Sequence, residues 1–371
     1  MVQRESAMED VVNSWSWQGK RVFLTGHTGF KGGWLSLWLA GRGAEIRGYA
    51  LDPIGDQNLF ISASVASLVD DVRGDIRDHA KLQAAMTEFR PEVVFHLAAQ
   101  PLVRYSYSDP LGTYDTNIMG TAHVLEAVRN TPSVRAVVCV TTDKCYQNQE
   151  WFWPYRETDP LGGYDPYSSS KACAEIVTAA YRSSFFPLDR LREHHVAVST
   201  ARAGNVIGGG DWSEDRLIPD LIRGFLSNQP VLIRRPRAIR PWQHVLDPVH
   251  GYVKLAERLM AEPARFSSAY NFGPGDEDAW PVERIATRLV SLWGDGASWV
   301  SDAAPSVHEA HFLRLDASKA HAELGWRSLL KIETAIEWTA AWYQAWRRGA
   351  DMRQETQAQI ASYEKRLASA V

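Results

Sequence analysis

The chain has 371 residues, of which 45% are hydrophobic and 23% charged, with a formal net charge of −4. This is ordinary globular composition, enough for two domains or for one large core with an excursion. There is no basic block, so nucleic acid and anionic membrane surfaces are poor partners, and no apolar run reaches the length that spans a bilayer.

The opening "MVQRESAMEDVV" carries acids and no long apolar stretch, so it does not read as a secretory signal. Five short, nearly continuous apolar runs follow: "KRVFLTG", "EIRGYALD", "PEVVFHLAA", "VRAVVCVTT" and "HHVAVSTARAG". Strands covered on both faces have this character. Helical patterns alternate with them: "GGWLSLWLAGRG", "DHAKLQAAMTEF", "TNIMGTAHVLEAVRN" and "SSSKACAEIVTAAYRSSF". Strand–helix alternation predicts an α/β fold, a doubly wound parallel sheet of Rossmann type. From Gly204 onward the pattern loosens, with Gly, Pro, Trp and Arg gathering in "GGGDWSEDRLIP" and "IRRPRAIRPWQH". The expected organisation is therefore a nucleotide-binding domain over 15–204, with segments returning from the C-terminal half. A smaller C-terminal substrate-binding region over 205–348 completes it, with 1–14 and 349–371 peripheral. The cysteines, Cys139, Cys145 and Cys173, are odd in number and have no metal-like spacing, so no metal site and a reducing cytoplasm are expected. Of the fifteen tryptophans, several fall in loop-like stretches ("WFW", "GGGDW", "RPWQH"), which leaves room for ligand stacking beside ordinary core packing.

The turn "LTGHTGFKGGW" closes the first strand and opens the first helix. Gly26, Gly29 and Gly32 allow a tight turn and a close backbone approach. The helix start then offers free N–H groups and a positive dipole end to a pyrophosphate. Thr28, Phe30 and Lys31 lie in the same turn. Asp52, just after the second strand, is placed to accept both ribose hydroxyls of NAD and to repel a 2′-phosphate. Lys31 pulls the other way, but Asp52 has the position that matches the ribose. Asp75 and Ile76 in "GDIRD" are expected near the adenine, and Leu97, Ala98 and Ala99 in "HLAAQ" where a dinucleotide crosses the sheet. "YSSSK" puts Tyr167 and Lys171 four apart on one helical face. A lysine ammonium there favours a phenolate, which can exchange a proton beside a nicotinamide. Thr142 ends the preceding strand, and Asn117 sits in the helix before it.

"TGHTGFKG", "HLAAQ", "TTDK" and "YSSSK" together resemble the extended short-chain dehydrogenase/reductase superfamily. Within it, "TTDKCY", "DPYSSSKACAE", "GNVIGGGDW" and "RPWQHVL" resemble the nucleotide-sugar 4,6-dehydratases, in particular their CDP-glucose branch, from about Trp17 to Arg347. The resemblance implies NAD as a recycled cofactor: it oxidises C4 of the hexose, water leaves from C5 and C6, and the hydride returns to C6. It implies Tyr167 as base at the C4 hydroxyl with Thr142 as its hydrogen-bond partner, and Asp143 as acid at the C6 hydroxyl. Many dehydratases of this class carry glutamate at the next position; this chain has Lys144, as in the CDP-glucose branch. Either Lys144 loses its proton through desolvation and acts as the C5 base, or it holds Asp143 and stabilises the developing enolate. On the substrate side the resemblance implies Asn205 and Arg240 at the diphosphate, with Trp242 and Gln243 beside Arg240. It places backbone groups of Leu217 and Ile218 at the base, Arg314 at the nucleotide, and Gln100 and Arg104 near the sugar. It also implies a homodimer through a four-helix bundle built from the helices around Asn117 and Lys171. Two other readings share the fold: a nucleotide-sugar 4-epimerase, which would not need Asp143 and Lys144 as an acid/base pair, and an NAD-binding regulatory protein without catalysis.

Overall fold

The computed structural model describes residues 15–294, 296–301 and 313–370. The strands, in chain order, are β1 (Arg21–Thr25), β2 (Glu45–Ala50), β3 (Asp70–Arg73), β4 (Val93–His96), β5 (Ala136–Val140), β6 (Ala197–Ala203), β7 (Asn205–Ile207), β8 (Val231–Ile233), β9 (Ile239–His244), β10 (Ala269–Phe272), β11 (Ala279–Pro281) and β12 (Trp299–Ser301). Seven of them form one sheet in the order β10-β6-β5-β4-β1-β2-β3, and every pairing in it is parallel. This is the doubly wound α/β sheet that the strand–helix alternation predicts. The chain winds outward from β1 in one direction through β2 and β3, then crosses to β4 and continues the other way. The strand order therefore reverses between β1 and β4, and the crevice beyond their carboxyl ends is where such sheets bind ligands.

The core lies on both faces of the sheet because successive strand residues point to opposite sides. Val22 and Leu24 join one buried cluster with Trp34, Trp38 and Leu246, while Phe23 joins a second with Tyr49, Met86 and Val124. Five helices frame the crevice and the faces of the sheet: α1 (Phe30–Gly41), α2 (Gly120–Arg129), α3 (Pro166–Ser184), α4 (Leu217–Leu226) and α5 (Leu246–Ala261). Helix α3 begins where the sequence marks it: Asp165 accepts from the Ser168 amide as N-cap, and Pro166 occupies the first turn.

The C-terminal half contributes more to the sheet than its composition suggests. β10 adds an edge strand beside β6, and β7, β9 and β11 form a separate three-stranded sheet in the order β11-β9-β7. The stretch "IRPWQH" is thus a middle strand in which Trp242, Gln243 and His244 are buried. Two further helices complete the chain, α6 (Ile332–Arg347) and α7 (Met352–Ser369). Residues 349–371 were expected to be peripheral, and α7 departs from that. Met352, Thr356, Ile360 and Tyr363 make a buried stripe along it. The Trp342 indole donates to Thr356 at 2.9 Å, and the Tyr363 hydroxyl donates to the buried Asp247 at 2.8 Å. Residues 1–14, also expected to be peripheral, lie outside the described residues. The loop tryptophans mostly pack against protein: Trp212 lies 4.8 Å from Trp346, Trp151 stacks on Tyr155, and Trp242 is in the core. Trp153 is exposed.

Candidate active site

The glycine turn is built for backbone to approach backbone. Gly26 has φ 78°, and a Cβ there would lie 2.6 Å from the Ala98 amide nitrogen. A Cβ at Gly32 would lie 2.1 Å from the Gly26 carbonyl oxygen. Helix α1 starts at Gly29 with no side chain capping its first amides, which stay free for an anion. A pyrophosphate fits this cradle, and the residues expected to hold NAD lie in the turn itself, just past the ends of β2, β3 and β4, and at Asn117. Thr28 donates to the Leu51 carbonyl at 3.1 Å. Phe30 is half-buried, and the Lys31 ammonium is 3.5 Å from the Tyr252 hydroxyl on α5. Burial lowers Lys31 to about 8. The Asp52 side chain is 89% exposed and lies 3.7 Å from the Arg73 guanidinium. The Leu97 and Ala98 amides donate to Thr25, Ala99 follows them along the crevice, and Ile76 is buried against Gly120. Asp75 is held below the ordinary carboxylate range by its hydrogen bonds to Arg77.

Asn117 sits in a π-helical turn (Asp115–Met119), a feature that often marks functional positions. Its amide donates to the Gln100 carbonyl at 3.0 Å and to Ser170 at 2.8 Å, and its oxygen accepts from the Gln100 amide at 2.8 Å. One side chain thus ties the end of β4 to α3.

Thr142, Asp143 and Lys144 follow β5 in a tight turn. The Thr142 hydroxyl donates to Asp143 at 2.9 Å and accepts from the Lys144 amide at 3.3 Å. Asp143 is 3% exposed. Burial raises its pKa against the pull of Lys144, the Thr142 hydrogen bond, Arg240 and Lys31. A carboxyl held this way keeps a proton more readily than a surface aspartate, which suits an acid. Tyr167 and Lys171 lie on α3 above it. Burial pushes the Tyr167 phenol up to about 12, with a hydrogen bond to Thr142 opposing, and lowers the Lys171 ammonium to about 8. The expectation that Lys171 favours the phenolate meets a stronger effect here. The ammonium donates to the Val140 carbonyl at 3.4 Å, and desolvation dominates the phenol.

The substrate-side residues divide. Asn205 opens β7 opposite Trp242 of β9. Arg240, two residues before Trp242, acts electrostatically on Asp143. Leu217 begins α4, and Gln100 is fixed by Asn117. Arg104 pairs with Asp215 at 2.6 Å, on the loop that leads into α4. Arg314 pairs with Asp276 at 2.7 Å and donates to the Phe152 carbonyl. Ile218, Trp242 and Gln243 turn their side chains into protein: Ile218 and Trp242 into the core, and Gln243 onto the Phe272 carbonyl at 3.0 Å.

The sequence profile of the family described as GDP-mannose 4,6 dehydratase matches residues 23–339. The chain belongs to this family. It is 54% identical over 347 residues to a CDP-glucose 4,6-dehydratase of Salmonella typhimurium, covering 94% of this chain and 97% of the relative. It is 29% identical to a dTDP-glucose 4,6-dehydratase of Xanthomonas campestris, covering 88% and 94%. Its fold is similar to that of a UDP-glucose 4-epimerase from Brucella ovis in complex with NAD, with a TM-score of 0.74 and 25% identity over 87% of this chain and 98% of that one.

Two features of this member of the GDP-mannose 4,6 dehydratase family escape a reading of its sequence. Arg216, immediately before α4, pairs with Asp211 at 2.8 Å and acts electrostatically on both Tyr167 and Lys31. Its signal is the pairing of "GGGDW" with "EDRLIP", five residues apart. His27, inside the glycine turn, is fully buried, and its Nε2 is 2.8 Å from Asp71. Nothing in a local pattern announces that contact, which spans 44 residues.

Proposed function

We propose that this protein dehydrates CDP-glucose to CDP-4-keto-6-deoxyglucose, using NAD as a recycled cofactor. The observation that carries the reading is the Thr142–Asp143–Lys144 turn, with Thr142 and Asp143 buried and Lys144 half-buried, beneath Tyr167 and Lys171, in a chain 54% identical to a CDP-glucose 4,6-dehydratase. An oxidation alone needs Tyr167 and Lys171; elimination also needs an acid placed beside them, and Asp143 is that acid.

When bound in the glycine-turn cradle, NAD supplies the hydride acceptor at C4 and the hydride donor at C6. Tyr167 first gives its phenolic proton to solvent, which the Lys171 ammonium favours against desolvation; the phenolate then takes the C4 hydroxyl proton, and Thr142 holds the phenol and Asp143 in register. Asp143 gives a proton to the departing C6 hydroxyl. Lys144, beside it, either removes the C5 proton or supports Asp143 and the enolate while another group takes that proton. Asn205 and Arg240 bind the diphosphate, Arg240 through the bidentate geometry that guanidinium offers to phosphate oxygens. Backbone at Leu217 and Ile218 meets the base, Arg314 the nucleotide, and Gln100 and Arg104 the sugar. Residues 15–204 carry the cofactor, and 205–348 mainly the substrate.

Exposed Leu111, Met119 and Ile176 on the helices around Asn117 and on α3 support a homodimer through a four-helix bundle. Among the described residues no helix is long and apolar enough to cross a membrane. The three cysteines are free thiols, which fits a reducing cytoplasm. Incubation with CDP-, dTDP-, UDP- and GDP-sugars tests the function. The expected result is a 4-keto-6-deoxy product from CDP-glucose; a C4-epimerised sugar, or no reaction with CDP-glucose, would overturn it.

A further inference from the structure

Directly behind the Thr142–Asp143–Lys144 turn lies a buried ion pair that the reaction scheme does not use. Glu175 is one turn beyond Lys171 on α3 and 3% exposed; Arg202 on β6 is equally buried, and the two meet at 2.8 Å. The carboxylate accepts three hydrogen bonds. One oxygen accepts from the Thr141 hydroxyl; the other accepts from the Thr200 hydroxyl at 2.7 Å and from Arg202. Arg202 continues the network to the Tyr146 hydroxyl at 2.8 Å, and Tyr146 donates to Asn271 on β10 at 2.7 Å. Thr141 immediately precedes the catalytic turn, and Tyr146 closely follows it. Both ends of that turn are therefore anchored in one buried network whose centre is Glu175.

A charged pair in this position is expensive in desolvation, and an apolar pair of the same volume would pack the core as well. We infer that Glu175 is a positioning residue for the dehydration chemistry: its carboxylate locks Thr141, and with it the Thr142–Asp143–Lys144 turn, to the helix that carries Tyr167 and Lys171, and it places a buried negative charge one turn behind the Lys171 ammonium. This rests on the proposed function.

The charges that reach Lys171 agree with this from each side. Cys139 on β5 and Cys145 after the turn are pushed well up by burial, so both are neutral thiols. His96 on β4 is lowered to about 3 by burial and is a neutral imidazole. Lys31 on α1 and Lys171 repel one another. Glu175 is thus the carboxylate that opposes desolvation at Lys171.

The test uses the full-length protein. Single-turnover oxidation of CDP-glucose is followed by reduced-nicotinamide absorbance across pH, and NAD affinity is titrated over the same range without turnover. Glu175→Gln removes the charge and keeps the shape. Its oxidation should slow by at least about tenfold, and the alkaline limb of both profiles should move about one pH unit lower, because Lys171 gives up its proton sooner. Glu175→Asp keeps the charge and shortens the reach, so it should return the limb to the wild-type pH while the rate stays low. Thr141→Val removes only the anchoring hydroxyl; it should lower the rate with the limb unmoved. Wild-type rate and limb in Glu175→Gln would overturn the inference. So would a rate loss that only follows loss of NAD-binding protein, with the limb unmoved. If Glu175→Gln does not fold, Thr141→Val decides: a wild-type rate there overturns the inference. Failure of the wild-type protein to oxidise CDP-glucose would instead refute the function, and it shows before any variant is made.

Discussion

Gly32→Ala tests the cofactor cradle with one methyl group. In the turn, that methyl would lie 2.1 Å from the Gly26 carbonyl oxygen and 2.8 Å from both the Gly26 carbonyl carbon and the His27 Cα. Ordinary contact begins near 3.4 Å, so the turn must open by about 1.3 Å. Neither side can yield cheaply. Gly26 is pinned because its amide donates to the Tyr49 carbonyl at 3.0 Å and its carbonyl accepts from the Gly29 amide at 3.1 Å. The helix start would be displaced instead, and with it the free amides that face the pyrophosphate. A hydrogen bond to a charged group is worth roughly 1.5–3 kcal/mol, so losing one or more of these amides should lower NAD affinity by at least about tenfold. Calorimetric titration of the stripped protein with NAD reads this directly. Gly41→Ala, at the far end of the same helix, is the control: a methyl there meets nothing within 4 Å. It should leave NAD affinity unchanged and raise stability by roughly 0.4–1 kcal/mol. Wild-type NAD affinity in Gly32→Ala would refute the assignment of this turn as the cradle.

Tyr167→Phe should keep NAD and CDP-glucose binding while the first oxidation slows roughly 10²–10⁴-fold; single-turnover absorbance near the wild-type rate would remove Tyr167 from its role. Asp52 predicts tighter binding of NAD than of NADP, measured by titrating each; the reverse order would move the ribose contact to Arg73, 3.7 Å away. Tyr363→Phe removes a hydrogen bond to the buried Asp247 carboxylate and should cost about 1.5–3 kcal/mol in denaturant unfolding. An unchanged midpoint would show that α7 is not anchored there.

The strands that line the cofactor crevice are legible in the sequence mainly through burial on both faces: β1, β4 and β5 are nearly unbroken apolar runs, while β2 interrupts the pattern with Glu45 and Arg47 and β6 is fully buried yet carries Ser199, Thr200 and Arg202. β3 is "DDVR" at one edge of the sheet and mostly half-exposed, and β10 is only four residues at the other edge; neither length nor pattern separates them from loop. β9 is the sharper case. Pro241 argues against a middle strand, yet it stands opposite Ala279 in a strand paired on both sides. Burial of Trp242, Gln243 and His244 outweighs that local cost. Helix α7 looks peripheral because its buried stripe is narrow and the rest of its surface is polar. At the site, the residues that local motifs carry are brought together: the glycine turn, Thr142, Asp143, Lys144, Tyr167 and Lys171. What the sequence conceals are partners distant along the chain, such as Arg202 with Glu175 and His27 with Asp71, since each depends on strand order rather than on spacing.

Every role proposed for the site depends on one transfer: hydride leaves C4 of CDP-glucose and returns to C6 of the same sugar, with water lost between. CDP-glucose carrying deuterium at C4 tests it in one measurement, with the product read by NMR and mass spectrometry. The expected product is a 4-keto sugar whose C6 methyl group carries the deuterium. Deuterium retained at a C4 of inverted configuration, beneath an intact C6 hydroxyl, would mean epimerisation without elimination, and the proposed dehydration would fall with it.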